Sequence, residues 1–385
     1  MTSLLPAFFI PFLLLSSLNA STINIIDHGA RGDGITDVSQ AFLAAWAIAC
    51  KSSQPTTIYV PPKRFFTSPI VFQGPCKNSR ITFQMEGTLV APDYKKMESS
   101  TNWLMFHGVQ GVSIIGGYLD GRGTSLWACK AAGRNCPAGA VSLAFYSSKD
   151  ILVQNLRSIN AKLFHIVVHS SQDAVIQGVK IDAPRDSPNT DGVHVQNSIN
   201  VRVLNIGIKT GDDCISIGPG TRNLWIQGVT CGPGHGISIG SLGKSSNEEG
   251  VQNVVVQNVA FYGTQNGLRI KTWGRPSNGF VTGVVFKQVV MKNVQNPIII
   301  DQNYCPHNTG CPNQNSGIQI SGVTYADIVG TSATQVAMKF ACSTTSPCKR
   351  ISLEGIKLTY KDQTAKSVCK NVYGTTHGLV LPRCV

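Results

Sequence analysis

The feature that most limits how this chain can fold is a pair of interleaved repeats built from short β-branched triplets. The first runs Ile151-Leu152-Val153, Ala174-Val175-Ile176, Val201-Arg202-Val203, Leu224-Trp225-Ile226 and Val254-Val255-Val256, in steps of 23, 27, 23 and 30 residues (174−151, 201−174, 224−201, 254−224). The second runs Ile166-Val167-Val168, Val193-His194-Val195, Ile215-Ser216-Ile217, Ile237-Ser238-Ile239, Leu268-Arg269-Ile270 and Ile298-Ile299-Ile300. Two ladders on one slightly irregular period mean one coil of chain per repeat. The outer residues of each triplet then point inward and the middle one outward, and each coil buries its core only against its neighbours. Leucine-rich repeats share the period but need a Leu-x-x-Leu-x-Leu frame, which is absent, and propeller blades need about forty residues and antiparallel hairpins. The expected fold is therefore all-β, a solenoid of parallel strands.

A solenoid leaves two ends of its core open. Phe42, Ala45, Trp46 and Ala49 lie at i, i+3, i+4 and i+7 in the segment Asp37–Cys50, which predicts an amphipathic helix placed to cap the first end. It is the only convincing helix in the sequence, and the cysteine-rich tail from Cys342 to Cys384 is placed to cover the other end.

Residues 1–20 carry an apolar stretch from Leu4 to Leu18 and end on small residues, the pattern of a secretory signal peptide cleaved near Ala20. Twelve cysteines, an even number, in an exported chain favour disulfides over metal sites. They fall as sequence neighbours (Cys50 and Cys76, Cys129 and Cys136, Cys214 and Cys231, Cys305 and Cys311, Cys342 and Cys348, Cys369 and Cys384), although spacing alone leaves the connectivity open. No linker or low-complexity break divides residues 21–385, so one elongated domain is expected. The formal charge of +13 points to a polyanionic partner, and an acidic sugar polymer or a nucleic acid would each satisfy it.

The chemistry is concentrated just ahead of the second ladder. Asp191, Asp213 and His235 each stand two positions before a triplet, 22 residues apart (213−191, 235−213), so they are expected to stack in one column with Asp212 beside them. Parallel strands lie about 4.8 Å apart. Carboxylates held that tightly repel, which should raise at least one pKa. Strict alternation would turn Asp191 and Asp213 inward, so a bend at Gly192, Cys214 and Gly236 must reset the facing and put the acids outside in a groove. Arg269 and Lys271 flank Ile270 in the next coil and face outward beside the same column, suited to gripping sugar carboxylates. Each piece has a plainer reading: Asp-Gly marks turns, Asp-Asp is often a solvated loop or a calcium ligand, and a histidine between glycines is often a turn residue. Their shared register on consecutive coils is what favours chemistry.

At these residues the chain resembles the polygalacturonases of glycoside hydrolase family 28, the plant members most closely. The match comprises Ser187-Pro188-Asn189-Thr190-Asp191-Gly192, Gly211-Asp212-Asp213-Cys214, Cys231-Gly232-Pro233-Gly234-His235-Gly236 and Arg269-Ile270-Lys271, with the opening segment Gly29–Asp37 and Asn303-Tyr304-Cys305. The resemblance implies a right-handed parallel β-helix that hydrolyses galacturonosyl linkages of pectin with inversion. It implies Asp212 as general acid, Asp191 and Asp213 activating water, and His235 tuning the acid. Arg269 and Lys271 are implied as carboxylate binders, Tyr304 as a subsite ring, and Asn189 as a shaper of its loop. Gly211 stands where microbial relatives often carry Gln, as plant sequences commonly do. No cofactor or metal, no nucleic acid and no membrane is implied, and the expectation is a secreted, monomeric cell-wall enzyme. The rival readings are an exo-acting variant, a rhamnogalacturonan hydrolase, a calcium-dependent pectate lyase with an arginine base, and a non-catalytic binder of acidic polymers.

Overall fold

The computed structural model describes residues 21–97 and 99–384, so the expected signal peptide lies outside the described residues. The triplets of both ladders form strands that pair in parallel in the register read from the sequence. In the first ladder Ile151 pairs with Ala174, Ala174 with Val201, Val201 with Leu224 and Leu224 with Val254. In the second, Ile166 pairs with Val193, and the column continues through Ile215, Ile237, Leu268 and Ile298. The chain is a right-handed parallel β-helix. The second ladder belongs to an 11-stranded sheet running coil by coil from Ile70–Gln73 to Lys366–Lys370, and the first to a larger sheet that wraps the rest of each coil.

The inward residues are mostly Val, Ile, Leu and Phe, and they form one apolar core running from Ile25 to Val380. Period-2 alternation puts a buried branched side chain on both flanks of each outward residue, so burial sets the pairing register. A one-residue slip would turn every such side chain to water.

Both ends of the core are covered. Helix α1 (Ser39–Lys51) buries Ala41, Phe42, Ala45, Trp46 and Ala49, the expected stripe plus one residue. Its Trp46 ring meets Phe72 edge-on at 5.4 Å and stacks on Phe83 at 6.1 Å, closing the first coils with an aromatic cluster. At the other end Tyr360, Cys369, Val372 and Cys384 pack against the core, while the tail itself continues as a further coil, with Val372–Leu381 parallel to Cys348–Tyr360.

A second helix, α2 (Thr124–Ala131), corrects the expectation of a single one. Its eight residues are too few to set up a periodic stripe, and it is fixed by burial of Leu126 and Trp127 and by the Cys129–Cys136 bridge. All six sequence-neighbour cysteine pairs are disulfides.

Candidate active site

The acidic residues sit where each coil turns into the 11-stranded sheet. Parallel hydrogen bonding continues through this corner: Gly192 N–H donates to the Asp213 carbonyl at 3.0 Å, and Cys214 N–H to the Gly236 carbonyl at 2.8 Å. Asp191, Asp213 and His235 are therefore stacked at coil spacing. The glycines act in different ways. Gly236 has φ +88°, a left-handed value that favours glycine. Gly192 is not left-handed, but a Cβ there would lie 2.6 Å from the Cys214 carbonyl oxygen, so it is needed for close approach of the coils. Beneath the corner, Ser187, Thr190 and Thr210 are fully buried, with Thr190 Oγ1 2.7 Å from Ser187 Oγ and 2.8 Å from Thr210 Oγ1. Gly211 N–H donates to Thr190 Oγ1 at 3.1 Å, so this hydroxyl chain ties both acidic loops together. The Cys214–Cys231 bridge links Asp213's neighbour to the strand that leads to His235.

All the acids face away from the apolar core, as the bend required, but they do not share one environment. Asp212 is partly exposed, its side chain 21% accessible, and its Oδ1 lies 3.1 Å from His235 Nδ1. Asn189, left-handed at φ 56°, donates to Asp212 Oδ2 at 3.4 Å. Asp191 and Asp213 are buried, 6% and 1% accessible, so for these two the expected open groove does not hold.

Asp213 is clamped. Its Oδ1 accepts from Arg269 Nη2 at 2.7 Å and Ser238 Oγ at 2.8 Å, and its Oδ2 from Lys271 Nζ at 2.9 Å. Arg269 Nε also donates to Ser238 Oγ at 2.8 Å. Burial works to raise the Asp213 pKa, but Lys271 and Arg269 overcome it and hold the carboxyl at about 2. Asp191 has no such partner and goes the other way. Burial first, then the Asp212 and Asp213 charges, push it well above the usual carboxylate range, with the Ser216 hydroxyl and Lys271 only partly opposing them. A raised pKa was expected from repulsion alone; desolvation turns out to be the larger cause.

Arg269 and Lys271 thus bear first on Asp213. Each keeps donors to spare, since a guanidinium has five N–H groups and an ammonium three. Lys271 and Tyr304 line a cleft of about 390 Å³ with Asn189, Asp191, Asp212 and Asp213. The Lys271 ammonium lies 5.2 Å above the Tyr304 ring, which packs edge-on against Trp273 at 5.8 Å.

Several cleft residues escaped the sequence reading. Phe164, His194, Gln196, Ser216 and Lys244 also line it. His194 Nδ1 lies 2.8 Å from Ser216 Oγ, and burial lowers the imidazole pKa to about 4. A signal was present: His194, Ser216, Ser238 and Arg269 are the outward middle residues of successive second-ladder triplets, a polar run on the strands next to the acids. Asp212, Asp213 and His235 bring ligand atoms within 4.8 Å of one another, a spacing that would admit a cation. Arg269 and Lys271 on the Asp213 oxygens make them poor metal ligands.

Residues 50–378 match the family described as glycosyl hydrolases family 28. A polygalacturonase of Prunus persica is 57% identical over 382 residues, covering 99% of this chain and 96% of the relative, and an exopolygalacturonase of Platanus acerifolia is 42% identical, covering 94% and 97%. Among solved structures, an endo-xylogalacturonan hydrolase from Aspergillus tubingensis superposes with TM-score 0.80 at 22% identity, covering 90% of this chain and 97% of that one. A polygalacturonase from Erwinia carotovora superposes with TM-score 0.64 at 22% identity, covering 93% and 97%. These two likenesses are of fold. With the sequence match spanning nearly its whole length, this chain belongs to glycosyl hydrolases family 28 and is a glycoside hydrolase.

Proposed function

We propose that this chain hydrolyses the α-1,4-galacturonosyl linkages of polygalacturonate in the plant cell wall, with inversion, as a secreted monomer of one catalytic domain. The observation that carries the reading is the division of labour among three acids. Lys271 and Arg269 hold the Asp213 carboxyl pKa at about 2, while burial and the neighbouring charges push Asp191 well above the usual carboxylate range, so of the two buried acids it is Asp191 that holds a proton more readily. Asp212 is the acid whose edge reaches solvent, beside His235, and it is the one able to meet a departing glycosidic oxygen. Asp191 and Asp213 line the floor beneath it and hold the attacking water. Asp213 as a covalent nucleophile is disfavoured, because both of its oxygens are engaged by cations. That matters because Asp212 and Asp213 approach more closely than the roughly 6.5–9.5 Å usual for an inverting pair, so the water position depends on Asp191 as well. Lys271 and Lys244 in the cleft, with Arg269 beside them on Asp213, supply positive charge for substrate carboxylates, and the Tyr304 ring supports a sugar. The charge of +13 suits a polyanionic substrate. Endo action is favoured, with an exo variant the nearest rival.

Reducing ends should be released from polygalacturonate in the presence of a chelator, and Asp212→Asn should lower kcat by about 10²–10⁴-fold. Proton NMR of the first product should show the β anomer. Chelator-abolished turnover, or unsaturated products, would point to elimination and overturn the reading.

A further inference from the structure

A surface groove of about 750 Å³ lies away from the catalytic acids, on the outer face of the larger sheet formed by the same coils. Its floor is made by outward residues of the first ladder. Trp225 and Arg202 are cross-strand partners in register, which puts their backbones about 4.8 Å apart. Leu204 and Gln227 continue the floor, and Asn200 and Asn223 form one wall.

Trp225 is 37% exposed, a large aromatic left open to solvent on the outer face of the sheet. It is not a loose side chain. Its indole N–H donates to Gln227 Oε1 at 2.9 Å, and Gln227 Oε1 also accepts from Gln257 Nε2 at 2.8 Å, so the ring plane is set before anything binds. The wall is equally fixed: Asn223 donates to Asn200 Oδ1 at 3.1 Å, and Asn200 to Asp173 Oδ1 at 3.0 Å. Asp173, the acid on the rim, is further offset by Lys149 at 3.9 Å. What remains open is an indole face with a guanidinium beside it. That pair matches one ligand chemistry. A galacto-configured pyranose presents an apolar patch of C–H bonds on one face, which stacks on indole, and a uronic acid adds a carboxylate at C6 for the arginine.

We propose that the groove around Trp225 and Arg202 is a second, non-catalytic binding site for galacturonan. The inference rests on the substrate class proposed above. A polymer strand held there would raise the local concentration of neighbouring strands at the cleft, an avidity gain with no new catalytic contact.

The test is affinity electrophoresis through gels containing polygalacturonate, on an Asp212→Asn background so that the gel is not digested, paired with turnover of soluble trigalacturonate by the otherwise native enzyme. Trp225→Ala should weaken retention about fivefold to tenfold, with Trp225→Phe recovering most of it. Arg202→Gln should weaken retention and flatten its salt dependence, and all three variants should turn over trigalacturonate within about twofold of the parent. Unchanged retention in Arg202→Gln and in a folded Trp225→Ala would overturn the site, and so would equal retention of the parent by a neutral glucan gel. If the native enzyme releases nothing from trigalacturonate or polygalacturonate, the substrate reading fails instead.

Discussion

Two corners of the coil stack aspartates in the same way and use them for opposite ends. Ahead of the first ladder, Asp150 and Asp173 face each other on neighbouring coils, bracketed by the pairs Lys149–Gln172 and Ile151–Ala174. Ahead of the second ladder stand Asp191 and Asp213. The first column is left-handed, with φ 54° and 55° at the aspartates and 58°, 56° and 56° at Asn200, Asn223 and Asn253, and its amides bond from coil to coil. Asp150 accepts from the Gln110 amide and lies in solvent. In the second column the acids are buried, one clamped by Arg269 and Lys271 and one left without a cation. Register alone therefore does not distinguish a turn from a catalytic site. Desolvation and an unequal supply of counter-charge do, because they shift the pKa values of two like carboxyls in opposite directions.

The sharpest way to break the comparison is to neutralise one acid in each column. Asp213→Asn leaves two nearly buried cations without their anion and should cost about 3–5 kcal/mol in urea unfolding as well as abolishing turnover. Asp173→Asn should cost about 0.5 kcal/mol or less and leave turnover intact. Similar losses for both would mean the clamp contributes nothing beyond a surface ion pair.

A second test uses acid. The Asp213 pKa is lowered from the ordinary 3.8 to about 2, so its contribution is complete above about pH 4 and is lost as pH falls toward 2. The stability gap between the parent and Asp213→Asn should close over that window. Asp191 has the opposite sign: its pKa is raised, so the folded protein keeps a proton that the unfolded chain gives up above 3.8. Asp191→Asn should accordingly gain on the parent as pH climbs past 4. Parallel pH profiles for the two variants would show that the acids share one environment after all.

The smallest effect concerns the amide column. Asn200→Asp would place a third carboxylate beside Asp173 and remove the donor that satisfies it, for a loss of about 0.5 kcal/mol that added salt should partly restore. A salt-insensitive loss would mean that the left-handed backbone, rather than charge, carries the change.

Much of the molecule is legible in its sequence because burial is periodic. Each inward branched residue of the two ladders found the predicted partner, and the stripe on the capping helix α1 found the open core end, since both patterns are read one residue at a time. Helix α2 was not legible, because its eight residues are held by a disulfide and two apolar contacts with the coil wall. The Ser216 and Ser238 hydroxyls were hidden for another reason. A serine in a β triplet looks like any outward polar residue until the partner across the coil is known, and only then does Ser238 become a ligand of Asp213.

By itself, then, the sequence determined the coil period, the strand register, the column of acids and the family to which the chain belongs. The tertiary structure decided which acid keeps its proton. That outcome depends on depth of burial and on where two cations from a coil 56 and 58 residues further along happen to reach, and free energies of desolvation and pairing are properties of assembled space that no local pattern encodes.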